Sequence, residues 1–115
     1  MIQCKRVYDA ASKEDGYRVL VDRLWPRGIK KADLAYDEWC KTLAPSTELR
    51  KAFHGEEIDF AAFKKSYREE LKAQKEAGEQ LAARGKNGTV TLLYAAKERD
   101  QNHAVVLAEW LRALR

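Results

Sequence analysis

Three short apolar runs in the chain have the length and composition of β-strands. Residues 2–7 mix apolar and polar positions, residues 18–22 carry three successive apolar side chains, and residues 89–95 (TVTLLYA) are almost continuously apolar and rich in β-branched residues. A strand without polar alternation is typical of the middle of a sheet that is covered on both faces. The pattern therefore predicts three strands, with the run at 89–95 in the centre of the sheet.

Helical periodicity follows in the middle of the chain. Ser46 predicts the N-cap of a short helix that ends near Gly55. Asp59 predicts the cap of the longest helix, because apolar residues recur at helical spacing over residues 60–71. Gly78 is expected to kink or break this second helix.

Two further segments complete the assignment. Residues 107–114 carry leucines and a tryptophan at the spacing of a C-terminal amphipathic helix. Residues 30–43 are ambiguous, and we expect them to be partly helical, with Leu34 and Trp39 buried.

The alternation of strands, loops and helices predicts a small α/β domain with a largely parallel sheet flanked by helices. A chain of 115 residues is an ordinary length for one domain, so we expect a single domain over residues 1–115. In such folds ligands bind at the carboxyl ends of the strands. This rule singles out the loops that follow Asp22 and Ala95.

Composition narrows the picture only a little. The formal net charge of +4 comes from 22 basic and 18 acidic residues, which fits an anionic ligand but is equally well explained by solubility. No apolar run is long enough to cross a membrane and the N-terminus has no signal sequence, so we expect a cytoplasmic protein. Cys4 and Cys40 are expected to be reduced, although the sequence alone leaves a disulfide between them open.

The first loop with candidate chemistry is DRLWPRG, which follows the strand at 18–22. Arg23 and Arg27 have the forked geometry that binds phosphate or carboxylate groups, so both are predicted to bind a ligand. Asp22 is predicted as a catalytic acid or base, and Trp25 as a stacking face for the ligand. An alternative interpretation is structural, with ion pairs that hold the loop and with Trp25 packed in the core.

The second loop follows the strand at 89–95. Lys97 and Asn102 are predicted to bind the ligand, and His103 to exchange protons near neutral pH. Asp100 or Asn102 also fits the N-cap of the last helix, whose positive end would then face the pocket. His103 has a structural alternative as well, as a residue that caps the helix or packs against the sheet.

Other elements are weaker. Ser46 is explained as a helix cap, Arg50 either joins the pocket or is solvated, and His54 fits a helix end. The sequence contains no glycine-rich phosphate loop, no zinc-type motif and no nucleophile elbow. With two histidines and two cysteines scattered along the chain, we predict neither a metal site nor a cofactor.

The segments VLVDRLWPRG (19–28), TLLYAAK (91–97) and Asn102-His103-Ala104 together resemble the YeaO-like proteins of the bacterial DUF 488 family. The resemblance covers essentially the whole chain. It implies a short, stand-alone intracellular protein and carries no established activity. Longer members of the wider family have a Cys-His pair at the head of the last helix, and Asn102 stands where that cysteine would be. The resemblance therefore argues against a cysteine-based covalent mechanism.

Three functions compete. The first is a pocket for a small anionic ligand, such as a nucleotide or phosphorylated metabolite, with general acid–base hydrolase or transferase chemistry as the enzymatic version. The second is a nucleic-acid-binding module, which the basic balance favours and the lack of a recognition motif opposes. The third is a non-catalytic interaction protein whose charged loops only stabilise the fold. The pocket exists only if the strands before Asp22 and Ala95 lie side by side and bring Arg27 and His103 together.

Overall fold

A four-stranded parallel sheet forms the centre of the molecule. The computed structural model describes residues 1–114. The sheet has the order β1-β4-β2-β3, and every neighbouring pair is parallel. Its strands are β1 (Ile2–Arg6), β2 (Tyr17–Leu20), β3 (Glu38–Trp39) and β4 (Val90–Tyr94). The predicted α/β fold and the central position of the strand at 89–95 are thereby confirmed.

Four helices pack on this sheet: α1 (Thr47–His54), α2 (Phe60–Lys72), α3 (Lys75–Asn87) and α4 (His103–Ala113). Three of them begin at the side-chain caps that the sequence predicts. Ser46 Oγ accepts a hydrogen bond from the Leu49 N–H at 3.1 Å, and the caps Asp59 and Asn102 accept equivalent bonds at 2.9 and 3.0 Å. None of the helices within residues 1–114 has both the length and the apolar character needed to cross a membrane.

The sheet buries both of its faces. Val19 and Leu92 point into the larger core, to which all four helices contribute, whereas Leu20 and Leu93 point into a smaller core on the opposite face. The segment after β2 covers that second face with residues that include Leu34. Because successive residues of a strand face opposite sides, only a continuously apolar strand satisfies both cores.

The expectation that residues 30–43 are partly helical is met only by 3-10 helix. The segment forms two single 3-10 turns, Lys31–Asp33 and Lys41–Leu43, with the edge strand β3 between them. β3 has only two residues, and it pairs with β2 through Val19 and Leu20. Two residues are too few to show the alternating pattern of a strand. β3 therefore depends on its pairing with β2 and not on a local sequence signal.

The expected break at Gly78 is also misplaced. The chain leaves the helical path at Ala73 and Gln74, and Gly78 lies inside the separate helix α3. A Cβ at Gly78 would overlap the Trp110 ring of α4. The glycine is therefore required by the close packing of two helices and does not mark a turn.

The register of the two central strands positions the loops that carry the candidate chemistry. Leu20 of β2 pairs with Leu93 of β4, so both strands end at the same edge of the sheet. The pairing continues one residue beyond β2, where the Val21 N–H donates to the Leu93 carbonyl at 3.0 Å. The loops after Asp22 and Ala95 consequently start next to each other.

Candidate functional site

Asp22 connects the ends of β2 and β4. Its Oδ2 accepts a hydrogen bond from the Ala95 N–H at 2.9 Å, and its backbone carbonyl accepts one from Trp39 Nε1 at 2.7 Å. The second carboxylate oxygen, Oδ1, lies 2.8 Å from His103 Nε2. A single side chain thus holds together two loops and the start of α4.

His103 is the first residue of α4, and its ring lies against the end of β2. Its Nε2 forms a hydrogen bond with the Val21 carbonyl at 3.2 Å and lies 2.8 Å from Asp22 Oδ1, a buried oxygen that makes no hydrogen bond with the described residues. Because a carbonyl oxygen only accepts, the bond to Val21 assigns a proton to Nε2. Nδ1 makes no hydrogen bond with any residue in the described part of the chain, so it is the ring nitrogen left for a ligand.

A cleft of about 990 Å³ opens beside the Asp22–His103 pair, at the upper end of the range of small-molecule sites. Arg27 and His103 line the same cleft, so the geometric condition set by the sequence is met. All of the residues predicted for the site contribute to its lining: Asp22, Arg23, Trp25, Arg27, Lys97, Asn102 and His103.

The basic side chains predicted to bind a ligand differ in the contacts that they already make within the protein. Arg23 donates from Nε to the Pro45 carbonyl at 3.0 Å and from Nη2 to the Ala44 carbonyl at 3.4 Å, so it ties the first loop to the entrance of α1. The side chains of Arg27 and Lys97 are exposed at the rim and form no ion pair with residues 1–114. Arg27 and Lys97 are therefore better placed than Arg23 to reach a ligand.

Trp25 and Asn102 have structural contacts that compete with their predicted ligand roles. Trp25 is half-buried, donates from Nε1 to the Ile29 carbonyl at 2.6 Å, and meets the Tyr36 and Trp39 rings edge-on. Asn102 is 1% exposed. Its amide caps α4 and also donates to the carbonyls of residues 98 and 99. Packing and capping explain most of what these two side chains do.

A third wall, which the sequence did not predict as a whole, comes from the end of α1 and the start of α2. Arg50, Phe53 and His54 lie on one side of α1, and Phe60 and Phe63 face them from α2. The alternative left open for Arg50 is thus decided in favour of the cleft. Residues 50 and 54 are four positions apart and therefore lie on one helix face. This spacing is the sequence signal that could have predicted their common position in the wall. In the sequence, the phenylalanines have the same spacing as apolar residues that face an ordinary core, so the pattern did not indicate that they line a cleft.

The charges around the cleft are mixed, but its cations are unpaired. Five carboxylates line the cleft alongside four basic side chains, which gives a formal charge of −1 with both histidines neutral. Within residues 1–114 none of the four basic side chains forms an ion pair, whereas Asp22 contacts His103. Arg50 Nε is buried and has no hydrogen-bond partner in the described chain. The basic side chains are Arg23, Arg27, Arg50 and Lys97, and the acidic ones are Asp22, Glu56, Glu57, Asp59 and Glu98.

His54 is the cleft residue whose pKa is displaced. Partial burial, followed by the positive charge of Arg50 and the proximity of His103, lowers its pKa below the usual value for histidine, against a smaller opposing effect of Asp22. The lowered pKa favours the neutral form of His54 over the charged one. No group of three or more His, Cys, Asp or Glu side chains within residues 1–114 is arranged to hold a metal ion, and both cysteines are free thiols.

Comparison with known proteins places the chain in a family. Residues 1–114 match the model of a family described as the inactive DUF488-N3 subclade. The chain belongs to the DUF488 family. It is 63% identical over 113 residues to "Uncharacterized protein YeaO" of Escherichia coli K12, an alignment that covers 98% of both chains.

More distant members of the family align over nearly the whole chain as well. The chain is 40% identical over 110 residues to "Uncharacterized protein Mb3100c" of Mycobacterium bovis and to "Uncharacterized protein Rv3073c" of Mycobacterium tuberculosis. These alignments cover 96% of this chain and 92% of the relatives. No solved structure matches. The resemblance to the YeaO-like proteins is confirmed.

Proposed function

We propose that this protein binds a small anionic ligand in the cleft at the carboxyl ends of β2 and β4. The observation that carries the proposal is the set of unpaired cations, above all the buried Arg50 Nε without a partner. A buried donor without an acceptor costs about 1–3 kcal/mol. An anionic ligand that accepts from Arg50 would offset this cost and would also attract Arg27 and Lys97.

The proposal is binding without covalent catalysis. The matching family is described as inactive. Among residues 1–114 no serine, threonine or cysteine lines the cleft, so it offers no nucleophile of these three types. Asn102, at the head of α4, uses its amide as a helix cap.

A thermal-shift series tests the proposal. We expect phosphate, sulfate, nucleoside monophosphates or small phosphorylated metabolites to raise the melting temperature of the wild type, because a ligand that binds only the folded state stabilises it. Arg27→Ala should abolish most of this rise, because Arg27 is exposed at the rim and has no structural ion pair.

Lys65→Gln is the matched control, because Lys65 is an exposed cation of α2 outside the cleft. Its response to the anions should equal that of the wild type. Equal stabilisation of the wild type, of Arg27→Ala and of Arg50→Met would exclude binding at this cleft. Loss of stabilisation in both variants would indicate an effect of net charge alone.

General acid–base turnover of the bound anion is a second candidate, and the Asp22–His103 pair favours it. The 2.8 Å contact orients the imidazole and leaves Nδ1 without a partner, an arrangement suited to proton transfer. Chromogenic phosphate and carboxylate esters are the substrates to screen. Hydrolysis that His103→Gln abolishes while ester binding persists would support this candidate, and the absence of turnover for every ester that binds would contradict it.

A further inference from the structure

The cleft has an apolar half as well as a charged one. The rings of Phe53 and Phe63 stack with centroids 4.4 Å apart, and Phe60 lies parallel to Phe63 at 6.2 Å. Phe53 and Phe60 are only half-buried, so part of this aromatic surface remains open to the cleft. A free anion such as inorganic phosphate has no apolar surface that could be buried against this wall.

The rim of the cleft extends the apolar surface. Within residues 1–114, Tyr8 and Leu24 are two of the three large apolar side chains that are clearly exposed, at 48% and 59%. Both line this cleft. Single exposed apolar residues are common, but two of them in the lining of one cleft that also has a half-open aromatic wall add to its apolar surface.

The charges limit how much negative charge the ligand carries. Because the acidic side chains of the lining outnumber the basic ones by one, a polyanion would meet as much repulsion as attraction. Glu56 and Glu57, which are exposed on the loop between α1 and α2, carry two of these negative charges. A single anionic group can still reach Arg50, Arg27 or Lys97.

We infer that the ligand is an aromatic monoanion, a flat ring that bears one anionic group. This inference rests on the proposed function. The ring lies against Phe53 and Phe60 and is covered by Leu24, while the anionic group accepts from Arg50. The volume of about 990 Å³ leaves room for a body much larger than a tetrahedral ion.

Three matched small molecules separate the contributions of ring and charge. Benzenesulfonate has both features, methanesulfonate has only the charge, and benzyl alcohol has only the ring. Amide chemical-shift titration of the full chain at several ligand concentrations gives each affinity and shows whether residues 95–103 respond. We expect benzenesulfonate to bind at least about tenfold more tightly than either of the others, because burial of a ring and pairing of a charge both contribute.

Substitution at Leu24 tests the apolar cover. Leu24→Ser should weaken benzenesulfonate binding several-fold and leave methanesulfonate unchanged, because Leu24 is exposed and its loss does not disturb the core. Leu24→Met should restore the binding of benzenesulfonate. The melting temperature of each variant without ligand shows that it folds.

Each outcome bears on the inference in a defined way. Equal affinities for the two sulfonates, or no effect of Leu24→Ser, would overturn the aromatic class and leave anion binding intact. Benzyl alcohol binding as tightly as benzenesulfonate would overturn both this inference and the proposed function. Absence of binding by all three compounds would overturn the aromatic class, and the thermal-shift series with phosphate and sulfate would then decide the proposed function.

A second series identifies the anionic group when benzenesulfonate binds in the cleft. Benzoate, phenyl sulfate and the monomethyl ester of phenylphosphonic acid each carry a different, singly charged group on a flat ring. Stronger binding of any one of them than of its ring-free counterpart supports the class and names the group. A preference for inorganic phosphate over all three would contradict it.

Discussion

Arg50 holds a guanidinium nitrogen that is buried against the wall of the cleft without a hydrogen-bond partner. Neighbouring carboxylates are present in the lining, yet none lies within ion-pair distance of it. The sequence alone did not show whether Arg50 is solvated or lines the pocket. The packing of α1 settles this question, because it places the Arg50 side chain in the lining of the cleft together with the loops that follow β2 and β4.

Replacement of Arg50 by methionine should separate stability from binding. Arg50→Met removes an unpaired buried donor and keeps an unbranched side chain as far as the ε position, so we expect the free energy of unfolding to stay the same or rise by about 1 kcal/mol. The stabilisation by anions should disappear. Urea unfolding with and without benzenesulfonate measures both effects.

Lys51→Met is the control for this variant, since Lys51 is the exposed neighbour of Arg50 on α1 and lies outside the cleft. It should respond to the anion like the wild type. A large loss of stability in Arg50→Met together with an unchanged anion response would show that Arg50 is structural.

We expect His54 to make the proposed binding of an anion depend on pH. Its folded-state pKa lies below the unfolded value, first because of partial burial and then because of Arg50 and His103. The unfolded chain therefore takes up a proton at a higher pH than the folded chain. The stability associated with His54 falls as the pH drops through the unfolded pKa toward the lowered folded one.

A bound anion should reverse part of this effect by raising the pKa of His54. We expect the affinity for benzenesulfonate, whose own charge is constant, to increase as the pH is lowered through the range in which His54 titrates. His54→Gln should flatten this pH dependence. A profile that is the same in the variant and the wild type would assign the dependence to another group.

At the level of secondary structure, the N-terminus of α4 joins the site to the fold. The Asn102 side chain accepts from the Val105 N–H and donates to two carbonyls of the preceding loop, so it fixes both the helix and the loop that carries Lys97. His103 follows directly, and its position depends on this cap. The sequence predicted the cap, but it did not show that capping engages most of the amide.

Loss of the cap should therefore affect stability more than a typical surface change. Asn102→Ala is expected to lower the free energy of unfolding by about 1–2 kcal/mol. Asn102→Asp should lose less, because its carboxylate still accepts from Val105 and suits the positive end of the helix. Chemical denaturation of the three proteins measures the order, and equal stability of the alanine variant and the wild type would contradict it.

The contact between α3 and α4 tests the interpretation of Gly78. Alanine is favoured over glycine inside a helix by about 1 kcal/mol, but its Cβ would overlap the Trp110 ring. We expect Gly78→Ala to destabilise the wild type by about 1 kcal/mol net, because overpacking typically costs more than the helix gains. In a Trp110→Leu background the same change should stabilise. A double-mutant cycle measures this reversal, and additive effects would rule out the clash.

For the whole molecule, the distribution of charge leads us to expect no binding to nucleic acid. The net charge of +4 is spread over the chain, and the lining of the cleft is nearly neutral. Binding to a phosphate backbone requires several cations along one track. Fluorescence anisotropy with random oligonucleotides at low salt should show no binding tighter than about 0.1 mM; tight binding that weakens steeply with added salt would contradict this.

The sequence was informative wherever structure is local. Helix caps are visible because a side chain bonds to a backbone group three residues away, as at Ser46 and Asp59. The strands β2 and β4 are visible because continuous apolar runs match burial on both faces. β3 was missed because two residues carry no pattern. The end of α2 was misplaced because Gly78 was interpreted as a flexible position that breaks a helix. The sequence did not show that Gly78 packs against the Trp110 ring.

The sequence by itself determined the α/β class, the family and the two loops that carry the candidate cations, Asp22 and His103, because these follow from local propensity and from the rule for parallel strands. Only the tertiary structure decided which cations remain unpaired. It also placed Arg50 and the phenylalanines opposite those loops. Pairing and burial depend on contacts between residues far apart in the chain, such as Asp22 with Ala95 and His103. Such contacts are set by packing of the whole core, and no local pattern encodes them.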